Sequence, residues 1–239
     1  MNESSTKPSQ SWIVGISIVL AATIFGMFFY HSRAQDNTVR VVGAATKRIV
    51  SDIVKWRITI ARTVSTTEVR SGYERINADL HAVTDQLKAN GIADKDINIQ
   101  PVNAQQVYGH QGGIVGYTVQ QSIFVLSTDV ASVEKLALNP VDLFRQGVVM
   151  QSSFLEYYSS ALSDIKKELL AQATTDAQKR AEEIARTSWL KVSRLVSARA
   201  GVFQINEPYS TEVRDYGVYN SSTKEKDVTV TVNATYEVR

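Results

Sequence analysis

The chain contains no cysteine. That removes disulfides, zinc–thiolate centres, iron–sulfur clusters and thiol catalysis together. It fits an oxidising or a reducing compartment equally well. Histidine is scarce, with three residues in 239. His31, His81 and His110 are far apart, and none shares metal-ligand spacing with another ligand. A surface position is expected for each, because a site needs convergent partners. An excess of one charge is missing as well. Lysine and arginine number 26 against 24 acidic residues, so no basic face is announced and a nucleic-acid partner is not expected.

Catalytic motifs are equally thin. Ser132-Val-Glu-Lys135 and Ser163-Asp-Ile-Lys166 have Ser-x-x-Lys spacing. The companion Ser-Asp-Asn and Lys-Thr-Gly motifs are absent, so both read as solvated helix faces. Gly109, Gly112, Gly113 and Gly116 form a glycine-rich stretch without a Gly-Lys-Ser/Thr ending. It reads as a hairpin tip rather than a phosphate loop. There is no Gly-x-Ser-x-Gly elbow. The expectation is that there are no catalytic, cofactor-binding or metal-binding residues and no cofactor.

What is present begins with Ile13–Tyr30, which has no charged residue. Eighteen helical residues rise about 27 Å, close to a bilayer's hydrocarbon thickness. Trp12 and Tyr30 bracket the run as interface residues would. The residues between are apolar all round, which argues against a core helix of a soluble domain. The chain therefore divides into a disordered tail (1–11), a transmembrane helix or uncleaved signal anchor (12–30), a tether (31–37) and a folded domain (38–239). The alternative is a signal peptide cleaved near Ala34, at Ser32-Arg33-Ala34. Lys7 and Glu3 before the run, and Arg33, Arg40 and Asp36 after it, nearly balance. They do not orient the helix.

The domain alternates strands and helices. Val39–Gly43 and Val54–Ala61 have strand periodicity, with Lys47-Arg48 and Ser51-Asp52 near the bend between them. Ser65-Thr-Thr-Glu68 reads as a capping box. The helix it opens carries Tyr73, Ile76, Leu80, Val83 and Leu87 on one stripe and stops at Asn90-Gly91. Strands follow at 96–108 (with Pro101 marking an edge or bulge), Tyr117–Leu126 and Gly147–Tyr157, with a short helix capped by Asp129. The longest helix runs about Ser160–Ser188, with Leu162, Ile165, Leu169, Ala173, Ala177, Ala181 and Ile184 as its stripe. Its alanines permit close approach of either a sheet or another subunit. The charged segment Asp176–Arg186 reads as a solvated face, with Glu182 and Arg186 paired one turn apart. A mixed-face strand (192–200), a polar stretch (206–226) with Tyr209, Tyr216 and Tyr219, and the strand Val228–Val238 complete the domain. The expected fold is α+β, mostly antiparallel sheet with helices on one face. Two related βαβ-type halves are left open.

Three segments resemble the SIMPL domain family of bacterial envelope proteins. Val41-Val-Gly43-Ala-Ala-Thr46 with Ser51-Asp52 is similar to the family's opening strand and its (P/S)-D bend. Gly116-Tyr-Thr-Val119 is similar to its G-Y-x-(V/A) strand. Ala173–Ala185 is similar to its alanine-rich long helix, and the terminal Val-x-Val-x-Val strand also fits. Serine stands before Asp52 where many members have proline. The resemblance implies a periplasmic, outer-membrane-associated or surface protein linked to envelope integrity and oxidative-stress defence. It also implies oligomers, including large rings, and no established catalytic residue. The expected protein is non-enzymatic and single-pass in a bacterial inner membrane, with its C-terminal domain on the periplasmic or extracellular side. Its expected partners are membrane lipid through Ile13–Tyr30, further copies of itself and an envelope protein. A secreted periplasmic form, and a domain with a small-ligand-binding or enzymatic site near Gly109–Gly116 or residues 209–219, are the alternatives.

Overall fold

The computed structural model describes residues 8–32 and 37–239, with side chains for 12–29 and 37–239. The expected tail through Lys7 and the cleavage residues Arg33 and Ala34 lie outside the described residues. Helix α1 spans Pro8–Ser32. It starts earlier than Trp12 because proline is well suited to the first helical turn. Its Trp12–Phe29 window has mean hydropathy 2.3 and no buried residue. By length and composition this helix can cross a membrane.

The domain is α+β, as expected, and holds two five-stranded sheets. Strands β1 (Thr38–Val50) and β2 (Ile53–Ser65) are one run broken only at Ser51-Asp52. They do not form a hairpin. A two-residue hairpin turn needs positive φ, and neither Ser51 nor Asp52 has it. The chain instead steps from one sheet to the other.

In sheet B, β2 lies between β5 (Ile114–Ser127) and β6 (Met150–Tyr158), antiparallel to both. The short β3 (Ile97–Ile99) and β4 (Asn103–Tyr108) share the far side of β5. Pro101 falls in the gap between them, so the single strand expected at 96–108 is split. Helix α2 (Val69–Ala89) and α3 (Val130–Leu138) pack on this sheet, and a short α4 (Val141–Arg145) lies beside α2. The core joins Val54, Trp56, Ile58 and Ile60 to Ile76, Val83 and Leu87 of α2.

In sheet A the centre is β10 (Glu225–Val238). It pairs with β1 along its whole length on one side. On the other side it pairs with β7 (Val192–Ala200) and β8 (Gln204–Asn206). A two-residue β9 (Val218–Tyr219) pairs with β8 in parallel. Helix α5 (Leu162–Thr187) covers β1 and β10. Its buried stripe is Leu169, Ala173, Ala177, Ala181 and Ala185. The last member is Ala185 rather than Ile184, which is exposed. The alanines face the sheet, which resolves what they approach.

Helix α2 differs from the sequence expectation at two points. The capping box does not form: the Ser65 hydroxyl bonds the Glu68 carboxylate, and α2 has no side-chain cap. Ser65 is still in β2, so its hydroxyl is not placed over the helix end. The stripe of α2 is also rotated, with Tyr73 exposed and Gly72 buried. A Cβ on Gly72 would come 3.0 Å from Val119 and 3.1 Å from Val64. Asp129 caps α3 as expected, accepting from the Ser132 amide at 3.1 Å.

Candidate functional site

Of the polar groups singled out in the sequence, few come together. His81 and His110 are exposed, and the His31 side chain lies outside the described residues. No group of three or more potential metal ligands occurs among the described residues. Lys166 lies over the Phe203 ring at 5.2 Å, while Lys135 is exposed. The Gly109–Gly113 stretch is the β4–β5 hairpin tip, closed by Gly109 N–H to Gly113 O at 2.9 Å. The tyrosines of 209–219 diverge. Tyr209 takes a guanidinium hydrogen bond from Arg48 and lies 4.5 Å under it. Tyr219 sits 6.1 Å from Tyr158, and Tyr216 is exposed. Arg186 pairs with Glu183 at 2.7 Å, not with Glu182, which accepts from Gln178 instead.

A polar cluster lies where the chain crosses between sheets. Ser51 N–H donates to Lys224 O at 2.9 Å, and Asp52 N–H donates to Tyr158 O at 3.1 Å. Each half of the bend is thus tied to a different sheet. The Asp52 carboxylate accepts the Ser160 amide at 2.8 Å and the Ser160 hydroxyl in a short bond. Those two bonds, the hydroxyl first, hold its pKa below the usual carboxylate value. Tyr157 N–H reaches Ser221 O at 2.7 Å. Glu134 of α3 accepts the Tyr157 hydroxyl at 2.9 Å and the Lys224 ammonium at 3.0 Å. Burial, with Glu134 beside it, pushes the Tyr157 hydroxyl up to about 12. Burial raises Glu134 too, but Lys224 and Tyr157 outweigh it and the net shift is downward.

Lys226 is the least expected member. Its side chain is 1% exposed and its ammonium donates to Thr223 O. Burial depresses its pKa to about 8. A sequence signal for this existed: position 226 has the parity of Val228, Val230 and Val232, the inward set of β10. Such an amine is a nucleophile in principle, but a substrate could reach it only if the strands opened. Under α2, the space between Trp56, Val83, Leu87 and Leu143 is 10 Å³, about what one water needs. The chemistry available at the crossover is hydrogen bonding and charge pairing that joins two sheets.

The remaining motif residues have the same character. A Cβ on Gly43 would lie 2.1 Å from Ala173 O and 2.4 Å from Ala177 N. The neighbouring Ala44 N–H donates to the Asp176 carboxylate at 2.8 Å, and Arg180 donates to the same carboxylate at 2.8 Å. The backbone bond first, then Arg180, lower the Asp176 pKa. So Asp176 is a clasp between α5 and β1 as well as part of the solvated face. Gly116 has a comparable constraint, with a Cβ falling 2.4 Å from Val64 O.

A membrane-length apolar helix ahead of a two-sheet α+β domain defines a membrane-anchored or exported protein. The SIMPL family, described as proteins of unknown function (DUF541), matches residues 39–236, and the chain belongs to it. No curated protein matches the chain.

Proposed function

We propose that this is a single-pass inner-membrane protein that presents its SIMPL domain on the periplasmic or extracellular side, and that it acts without catalysis. The observation that carries this reading is the pairing of an unburied 18-residue apolar span with a domain whose motif residues Gly43, Asp52, Gly116 and Asp176 are engaged in packing and joining the fold. Its work is then done by surfaces. Sheet A offers two: the edge strand β7, exposed along nearly its whole length, and a groove between β1 and α5 lined by Val42, Arg180 and Ile184. Exposed strand edges are templates for pairing with another chain, which supports self-association or capture of an envelope partner. A role in envelope integrity or stress defence is the expected consequence.

Protease accessibility tests the topology. The domain should be digested by protease added to spheroplasts with an intact inner membrane, and the purified protein should keep its N-terminus. Digestion only after lysis, or an N-terminus starting after Ala34, would overturn the orientation or the anchor respectively. Light scattering of the full chain in detergent tests assembly, and a monomer at every concentration would refute it.

A further inference from the structure

Helices α2 and α5 end in the same closure. After α2, Gly91 has φ 87°, Gly91 N–H donates to Lys88 O and Ile92 N–H to Leu87 O. After α5, Trp189 has φ 61°, Trp189 N–H donates to Arg186 O and Leu190 N–H to Ala185 O. This left-handed position suits glycine, and a residue with a Cβ is strained there. A bulky residue at positive φ is a true outlier. Yet the Trp189 side chain gives the domain nothing in return. It is 96% exposed, and among the described residues its indole has no hydrogen bond or ring contact. Trp56 shows the contrast: it is buried in sheet B and donates to Ser153 Oγ at 2.9 Å. Local rules broken without a gain inside the fold point to a role outside it.

Its place in the fold says what that role is. Lys191 and Arg239 exchange backbone hydrogen bonds at 2.7 and 2.9 Å, and Val238 N–H donates to Asn37 O at 2.8 Å. Two strand spacings, about 10 Å, therefore separate Lys191 from Asn37, and Trp189 is two residues further. From Ser32, where α1 ends, to Asn37 are five peptide steps, with a reach of at most about 18 Å. The end of sheet A that carries Trp189 is thus leashed to the membrane helix. Leu190 beside it is 40% exposed. Glu183 pairs with Arg186, and Glu237 lies between Arg194 and Arg239. Lys191 has no ion pair among the described residues.

We propose that this end of the domain docks on the bilayer that holds α1, with the Trp189 indole among the lipid headgroups and Lys191 against anionic ones. Tryptophan favours that layer because one part of its ring system is apolar and its N–H can be hydrated or bonded there. The proposal rests on α1 being an uncleaved anchor. It gives the domain a fixed orientation, with the β1–β2 crossover and sheet B turned away from the lipid.

The three tryptophans make a direct test. The full-length Trp12→Phe variant is reconstituted into phosphatidylcholine–phosphatidylglycerol vesicles containing lipid brominated near the top of the acyl chain. Trp56 is shielded in the core, so bromine quenching reports Trp189. The expected result is about a twofold loss of the Trp189 emission, absent in Trp12→Phe/Trp189→Phe, whose remaining emission should be unquenched. Protein that floats with the vesicles but shows no Trp189 quenching overturns the docking alone. Emission shifted to the blue yet unquenched assigns Trp189 to a protein contact and overturns it too. Protein that does not float overturns the anchor, and the docking with it.

Discussion

Replacing Gly43 by alanine adds one methyl group where helix α5 lies against β1. The new carbon would sit 2.1 Å from Ala173 O, 2.4 Å from Ala177 N and 2.7 Å from Ala177 Cβ. The first two are backbone atoms of a helix, so no rotamer change relieves them. The helix must retreat by about 1 Å before ordinary contact distances return. Overpacking of a core costs about 1–3 kcal/mol. The retreat also stretches the bond from Ala44 N–H to Asp176, a hydrogen bond to a charged acceptor whose loss adds about 1–2 kcal/mol. Gly43→Ala should therefore lose about 3–4 kcal/mol. For a domain of this size that lowers the midpoint by roughly 10 °C. Thermal unfolding followed by circular dichroism, on the full chain in detergent, measures it. A second variant makes the reasoning specific. Ala177→Gly removes only the Cβ contact, so Gly43→Ala/Ala177→Gly should stay destabilised. A loss below about 1 kcal/mol in the single variant would refute the close approach, and full recovery in the double variant would refute the role of the backbone atoms.

Lys226→Met should stabilise the domain at neutral pH by about 1–3 kcal/mol, because it removes a buried ammonium. The native lysine has a folded pKa of about 8, so the unfolded chain holds more protons between that value and its own pKa. Native stability should rise with pH across that window, and the Lys226→Met curve should be flat there in urea titrations. Asp52→Asn should cost about 1 kcal/mol. The depressed Asp52 pKa gives stability present above about pH 4 and lost as pH falls through the folded value, so the variant should lose less than wild type on acidification. Asp79 of α2 holds Arg62 in a two-point contact at 2.7 Å, and Arg62 also donates to Gly147 O. Asp79→Asn should cost about 2–3 kcal/mol by urea unfolding, below the fully buried range because Arg62 retains some solvent access. Gly72→Ala should cost about 1 kcal/mol, because Val64 and Val119 are buried β-branched side chains with little freedom to give way, which outweighs the better helix propensity.

Much of this fold could be read from periodicity. The inward set of β10, the alanine stripe of α5, the Asp129 cap and the Asn90-Gly91 stop are local patterns, and each is where the sequence placed it. What could not be read is pairing across distance. The alternating runs flanking Ser51-Asp52 look like a hairpin, and only the partners of the two strands show that they belong to different sheets. The far end of β1 is hidden for a related reason. Lys47 and Arg48 look like a bend in isolation, but they pair with Val228 and Asp227 in the β1–β10 ladder. Lys226 escaped because a lysine beside a polar stretch reads as surface. The crossover cluster draws on Asp52, Glu134, Tyr157 with Ser160, and Lys224, from four separate stretches, so no spacing rule could assemble it.

The pairing of β1 with β10 also sets an order of events. The first strand of the domain finds its main neighbour only in the last, with Thr38 opposite Glu237 and Val50 opposite Glu225. Sheet B can close from contiguous chain between Ile53 and Tyr158, while β1 waits with both edges open. During synthesis, that gives a long interval in which β1 is a ready partner for any other strand. Asp176 on α5 is made before β10, so its bond from Ala44 N–H can tie the helix to β1 while the edge that takes β10 is still open. Slow, long-range closure of this kind leaves chains exposed to mispairing, so conditions that stall elongation before β10 should favour aggregates built on β1.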